Sequence, residues 1–267
     1  MQSFFHRHAL ATFLLAAFAA ATQAQPPQLD PQTQDRLDML RQRPEIAGEP
    51  VYRGAVFAPQ DSALAELFHY ERRVGKTADG LSASHITHDP SGEVIIEETV
   101  RVSPRYELQR LDVANRQAGF SGTAVVSPDG RRLDFHLNQG GQIRSSQEDV
   151  TDPVLAGPSL HGFILEHWKL LSDGGKLAVR MVVMAKMQTY GFEIRQVTAP
   201  EPLVRFSVTP SSLLVRLLVA PLTVTFDATD RHLVRYEGRV PPLREMDGKL
   251  QDFDARVEYT MLVPRYR

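Results

Sequence analysis

The chain has 267 residues, a formal net charge of −2, 23% charged residues and no cysteine. A near-neutral balance with no basic run gives no electrostatic case for nucleic acid or an anionic membrane surface as partner. Without cysteine there is neither a disulfide nor a lipid-modified thiol, yet a chain of this length buries a real core without such staples.

Arg7 precedes the apolar run Ala9–Ala21, and Thr22-Gln23-Ala24 places small residues at the minus-three and minus-one positions. Residues 1–24 therefore read as a secretory signal peptide cleaved after Ala24, which makes the expected location periplasmic. An uncleaved anchor is the competing reading. The run is short for a membrane span and lacks a stop-transfer flank. Removing residues 1–24 takes away one Arg and no acid, so the charge moves from −2 to −3. No later stretch reaches spanning length, so no integral membrane segment is expected after cleavage. Residues 25–60, rich in Gln and Pro, read as a flexible leader with a short helix at Gln32–Arg43.

Residues 61–267 read as a single domain of strand after strand. Period-2 alternation gives one apolar face in Glu93–Val102, Arg132–Asn138, Gln188–Gln196, Leu203–Thr209 and Leu222–Phe226, and most cleanly in Phe253–Val263. Asp89-Pro90-Ser91-Gly92, Ser127-Pro128-Asp129-Gly130 and Asn138-Gln139-Gly140-Gly141 supply hairpin turns, and Asp227–Arg231 resembles another. The phase slips within Tyr106–Val113, which predicts a bulge near Arg110. Short connections make the strands antiparallel, roughly ten to twelve of them. A sheet that long must curl.

One helix interrupts the strands, at Ser159–Leu171 between Pro158 and Asp173-Gly174-Gly175. Ser159 is the expected N-cap. At 100° per residue Leu160, Phe163, Ile164, Trp168 and Leu171 share a side, leaving Gly162, Glu166 and Lys169 as a polar strip. So wide an apolar arc suits a helix gripped on more than one side. The fold expected is mainly β: a strongly curved antiparallel sheet or incomplete barrel wrapped around this one central helix. The segments His161–Leu171 (HGFILEHWKLL) and His232–Val240 (HLVRYEGRV) resemble secreted bacterial β-sheet proteins without assigned function. The architecture resembles the periplasmic lipoprotein-carrier (Lol-type) half-barrels. That resemblance implies an apolar-ligand carrier or a structural factor, and carries over no functional residue.

Chemistry is scarce. Gly157-Pro158-Ser159-Leu160-His161 begins like a nucleophile elbow but has His161 where the second Gly belongs, so Ser159 reads as a cap. His161 and His167 are spaced i, i+6 and fall some 120° apart, unlike the i, i+4 ligands of a zinc helix. His85 and His88 lie three apart on a strand and face opposite ways. Asp134 and His136 read as solvated. No catalytic residue, metal site or cofactor is assigned.

Glu98, a carboxylate on an otherwise apolar strand face, needs a partner, for which His167 or an Arg is the candidate. His167 projects from the apolar arc and is able to orient a ligand head group. The most apolar later stretch, Leu213–Leu222, reads as a short helix that is core, lid or interface, with Arg216 at its polar edge. The candidate ligand-binding set is thus Phe163, His167, Trp168, Leu171, Glu98, Leu214 and Leu217.

Three readings follow. The first is a soluble periplasmic binding or carrier protein for an apolar or lipid-like ligand held in the concave face. The second is a non-enzymatic structural or envelope-assembly factor with a fully packed core, acting through contacts with another envelope protein. The third is an enzyme of unfamiliar type using His161, His167 or Glu98. The first is preferred, since no catalytic motif supports the third.

Overall fold

In the N-terminal half, apolar–polar alternation builds β1 (Glu49–Phe57), β2 (Phe68–Thr77), β3 (Gly80–His88), β4 (Val94–Val102), β5 (Leu108–Asn115), β6 (Phe120–Val126), β7 (Arg132–Gln139) and β8 (Gln142–Asp149). The chain then makes β9 (Val154–Leu155) and two short helices, α1 (Gly157–Glu166) and α2 (Trp168–Ser172). The C-terminal strands are β10 (Lys176–Val183), β11 (Gln188–Val197), β12 (Leu203–Pro210), β13 (Leu222–Asp227), β14 (Leu233–Arg239), β15 (Arg244–Met246), β16 (Lys249–Gln251) and β17 (Asp254–Met261), with α3 (Leu213–Arg216) between β12 and β13. These elements come from a computed structural model that describes residues 48–59, 65–78, 80–216 and 220–263, without the side chains of Leu214 and Val215. The expected signal peptide, the 32–43 helix and Leu217 lie outside the described residues.

Fifteen strands form one sheet in the order β8-β7-β6-β5-β4-β3-β2-β1-β17-β14-β13-β12-β11-β10-β9, and β15–β16 make a separate hairpin. Two meanders meet at its centre, where β1 pairs antiparallel with β17 through Val56 and Val257. Only β9 runs parallel to its neighbour, β10. Two strands account for much of the excess over the expected ten to twelve. The sheet begins at β1, inside the stretch expected as leader, and β10 is not among the strands named from the sequence. The expected bulge is present: Arg101 faces Arg110 while Val102 faces Leu108, leaving Gln109 as the extra residue.

The sheet is not closed, but side chains tie its two ends together. Arg180 on β10 donates to the Glu148 carboxylate of β8 (2.6 Å), and Thr189 donates to it through both its hydroxyl (2.6 Å) and its backbone N–H (2.7 Å). The Ser146 hydroxyl adds a bond to the Met187 carbonyl (2.9 Å). A part-buried carboxylate taking several charge-assisted bonds is stronger than a surface pair. Glu148→Gln should therefore lower stability to urea by about 1–2 kcal/mol and speed amide exchange at Thr189. An unchanged exchange rate there would mean that the ends are held by packing alone.

The expected single helix is two. Its first turn starts at Gly157, and Ser159 is not the N-cap. Its hydroxyl instead donates to the Ala156 carbonyl and accepts from the Ala156 N–H, both at 3.0 Å. At His167 (φ −99°, ψ 16°) the helix breaks, and the imidazole Nδ1 turns back to the Phe163 carbonyl at 2.9 Å. Gly162, expected on a polar strip, is buried. A Cβ there would sit 2.0 Å from the Tyr106 ring, so only glycine permits that approach.

Three apolar clusters fill the inner face. Leu160, Phe163, Ile164, Trp168 and Leu171 pack with Phe192, Phe206, Val224 and Phe226 of the C-terminal meander. A second cluster joins Leu111, Phe135 and Leu137 to Met184, and a third joins Val56, Phe68, Phe253 and Val257.

Candidate functional site

Between these apolar clusters runs a row of polar side chains fixed by strand register. Tyr52 on β1 faces Arg72 on β2, Arg72 faces His85 on β3, and His85 faces Glu98 on β4. Cross-strand partners project to the same side of a sheet, so all four share one face. That face is the one carrying Val74 and Val100 at the next positions in phase, hence the inner one. α1 packs over β3 and β4, with its N-terminus toward the row: Arg72 Nη1 donates to the Pro158 carbonyl (2.6 Å), and a Cβ on Gly157 would lie 3.8 Å from Glu98 Oε2.

His161 comes down from α1 into the same region. Its ring stacks on Phe226 (centroids 5.5 Å apart, planes 20°) and meets Tyr52 edge-on at 5.6 Å. Tyr70 lies against His85 (4.8 Å), and Tyr259 against Tyr52 (6.2 Å).

The electrostatics of this row are unusual for a core. Arg72 is 4% exposed, and it has no ion-pair partner among the described residues. Its Nε, both ring nitrogens of His161 and the Tyr70 hydroxyl are buried without a hydrogen-bond partner among those residues. Burial, reinforced by the Arg72 charge, pushes His85 down to about 3. Burial, then the charge of Arg72 and the neighbouring His85, holds His161 well below the usual imidazole range. Burial alone lifts Glu98 to about 7. Burial also raises Tyr70, Tyr236 and Tyr259. Around neutral pH the row thus holds one fixed positive charge, two neutral imidazoles and a carboxyl on the edge of ionisation. It can accept an anionic group, and it can give or take a proton at Glu98.

The residues expected to bind ligand are divided by the structure. Glu98 belongs to the row, but it makes no ion pair or hydrogen bond with His167 or with Arg72 among the described residues. Phe163 and Leu171 are fully buried and Trp168 nearly so, packed in the core. His167 is half-buried at the helix break and rests against Phe163 (4.2 Å). Leu214 lies on α3, where Arg216 donates to the Pro210 carbonyl (2.6 Å).

Arg72 and His85 were missed as site residues, and His161 entered only the enzyme reading, not the ligand-binding set. The rule that singles out Glu98, a polar residue in the apolar phase of an alternating strand, also finds Arg72 in Phe68-x-Tyr70-x-Arg72-x-Val74 and His85 in Leu81-x-Ala83-x-His85.

Two other features lie apart. A groove of about 910 Å3 opens beyond the end of α2, lined by Ser172, Gly174, Gln196, Thr198, Glu201 and Ala228, apart from Glu98, Phe163, His167, Trp168 and Leu171. Asp227, Asp230 and His232 converge in the β13–β14 turn, where Asp227 caps the Thr229 N–H (2.7 Å) and Asp230 the His232 N–H (3.1 Å). They serve that turn.

No family model matches the chain, and no curated protein matches it. Among solved structures, a porin-like protein from Bacteroides uniformis is similar over 80% of this chain and 99% of its own, at 10% sequence identity and a TM-score of 0.22. None of the helices among the described residues is long and apolar enough to cross a membrane.

Proposed function

We propose that this is an exported binding protein that holds a mainly apolar, lipid-like molecule on the inner face of its curved sheet, with the sheet wrapped around α1 and α2. One observation carries the reading: Arg72, Tyr70 and His161 keep buried polar atoms unmatched beside an apolar core. Stability alone selects against such groups, because a buried donor without a partner costs about 1–3 kcal/mol. Their cost is explained if a ligand completes them. The apolar clusters on either side favour a ligand whose body is hydrocarbon or aromatic.

In this reading the signal-like residues 1–24 direct export to the periplasm. Mass spectrometry of an organic extract of protein purified from the periplasm without detergent tests it. A stoichiometric amphiphile should be found. A clean extract, together with no binding of any amphiphile added back, would overturn the reading in favour of a packed assembly factor.

A further inference from the structure

We infer that Arg72 anchors a single carboxylate group of the ligand, so that the cargo is a monocarboxylic acid with an apolar body. The inference rests on the inner-face binding reading above and names the head group that reading leaves open.

Three observations lead to it. The guanidinium is all but inaccessible yet faces no acid in an ion pair among the described residues, while its neighbours in the row are a tyrosine and a histidine. A buried cation left so is retained only at a cost, and an incoming anion removes that cost. Its Nη1 is committed to the Pro158 carbonyl, but Nε has no partner among the described residues, and the planar fork of arginine presents Nε and a terminal nitrogen in the spacing of two carboxylate oxygens.

The charge of the surroundings sets the head group. One fixed positive charge neutralises one negative charge. A dianionic phosphate would bring a surplus charge into a space whose groups His85, His161 and Tyr52 are neutral, and Glu98, once ionised, would repel that second charge. The walls set the body. Tyr52, Tyr106 and Tyr259 surround the guanidinium closely enough to feel its charge, and Phe226 stands behind His161. Such rings favour alkyl or aryl surface over sugar or peptide.

The test uses the whole protein and four probes, decanoate, decanol, acetate and inorganic phosphate, read by calorimetry and by the emission of Trp168, the only tryptophan of the chain. Decanoate should bind at least tenfold more tightly than decanol. Arg72→Met should abolish that preference, and Arg72→Lys should keep part of it. Equal affinity for decanoate and decanol would overturn the anchor while leaving the apolar carrier in place. Acetate binding as tightly as decanoate would uphold the anchor and overturn the apolar body. Phosphate outcompeting both carboxylates would overturn the choice of head group. If none of the four binds, the anchor and the carrier reading both fall. Should Arg72→Met not fold, as judged by its far-ultraviolet dichroism, the comparison of decanoate with decanol on the wild type still decides.

Discussion

Acidifying the protein from pH 7 to pH 4 should cost a Glu98→Gln variant roughly 3 kcal/mol more than it costs the wild type, and a His85→Gln variant roughly 3 kcal/mol less. Folded His85 titrates at about 3, against 6.5 for a free imidazole. The fold favours its neutral form, so the stability present above pH 6.5 is lost as the pH falls toward 3. Glu98 runs the other way. It titrates at about 7 in the fold, against 4.5 ordinarily. The fold favours its protonated form, so the stability present below pH 4.5 is lost as the pH rises through 7.

Each shift, converted at about 1.36 kcal/mol per unit over the window it spans, gives these figures, and some solvent access to both groups makes them upper values. In the wild type the two effects nearly cancel, and single substitutions separate them. Urea unfolding at pH 7, 5.5 and 4 measures both. A Glu98→Gln curve parallel to the wild type throughout would mean that water or a counter-charge reaches the carboxyl, and the row would then be no desolvated site.

How far the sequence reveals this site depends on what kind of signal each residue gives. Strands with a solvated face were visible because their polar phase is unbroken, as in Phe253–Met261, where Asp254, Arg256 and Glu258 alternate with Ala255 and Val257. β10 was overlooked although Leu177, Val179, Met181 and Val183 alternate with Lys176, Ala178 and Arg180. Its Arg180 is covered by Glu148 in a contact that no local pattern announces. The wide apolar arc around Phe163 and Trp168 correctly indicates contact on several sides, but nothing in it marks His167 as a break. At that break the imidazole Nδ1 joins the His167 backbone N–H on the Phe163 carbonyl.

The row itself was half legible. Glu98 stands out on its own strand. Its neighbours Arg72 and His85 obey the same rule, yet only the register that sets Arg72 opposite His85 and His85 opposite Glu98 makes three separate irregularities into one feature. Register is a property of strand pairs, and a pass along a single chain does not contain it. His161 is harder still. Its inward direction depends on how α1 lies over β3 and β4, a packing choice between two faces of a helix that is apolar nearly all round.

Phe226 joins that packing to the polar row, and removing its ring should have the second large effect. It is fully buried, stacks on His161, and meets Trp168 (5.5 Å, 87°) and Phe206 (5.8 Å, 73°) edge-on. Phe226→Ala should lower stability by about 3–5 kcal/mol through lost contact and the cavity left behind, and Phe226→Leu by about 1 kcal/mol. The cavity would border two imidazole nitrogens that have no partner among the described residues, and such a space is polar enough to admit water.

Hydrated His161 would then titrate nearer the ordinary imidazole range. Because Trp168 borders the same space, its emission in Phe226→Ala should change sigmoidally between pH 5 and 7, where the wild type stays flat. A loss below 1 kcal/mol with a flat emission profile would place the helices off the C-terminal meander and leave His161 buried by other means. The expected pair of changes would show that one ring both clamps α1 and α2 to the sheet and keeps the polar row dry, so that core packing and the charge state of the site are set by the same side chain.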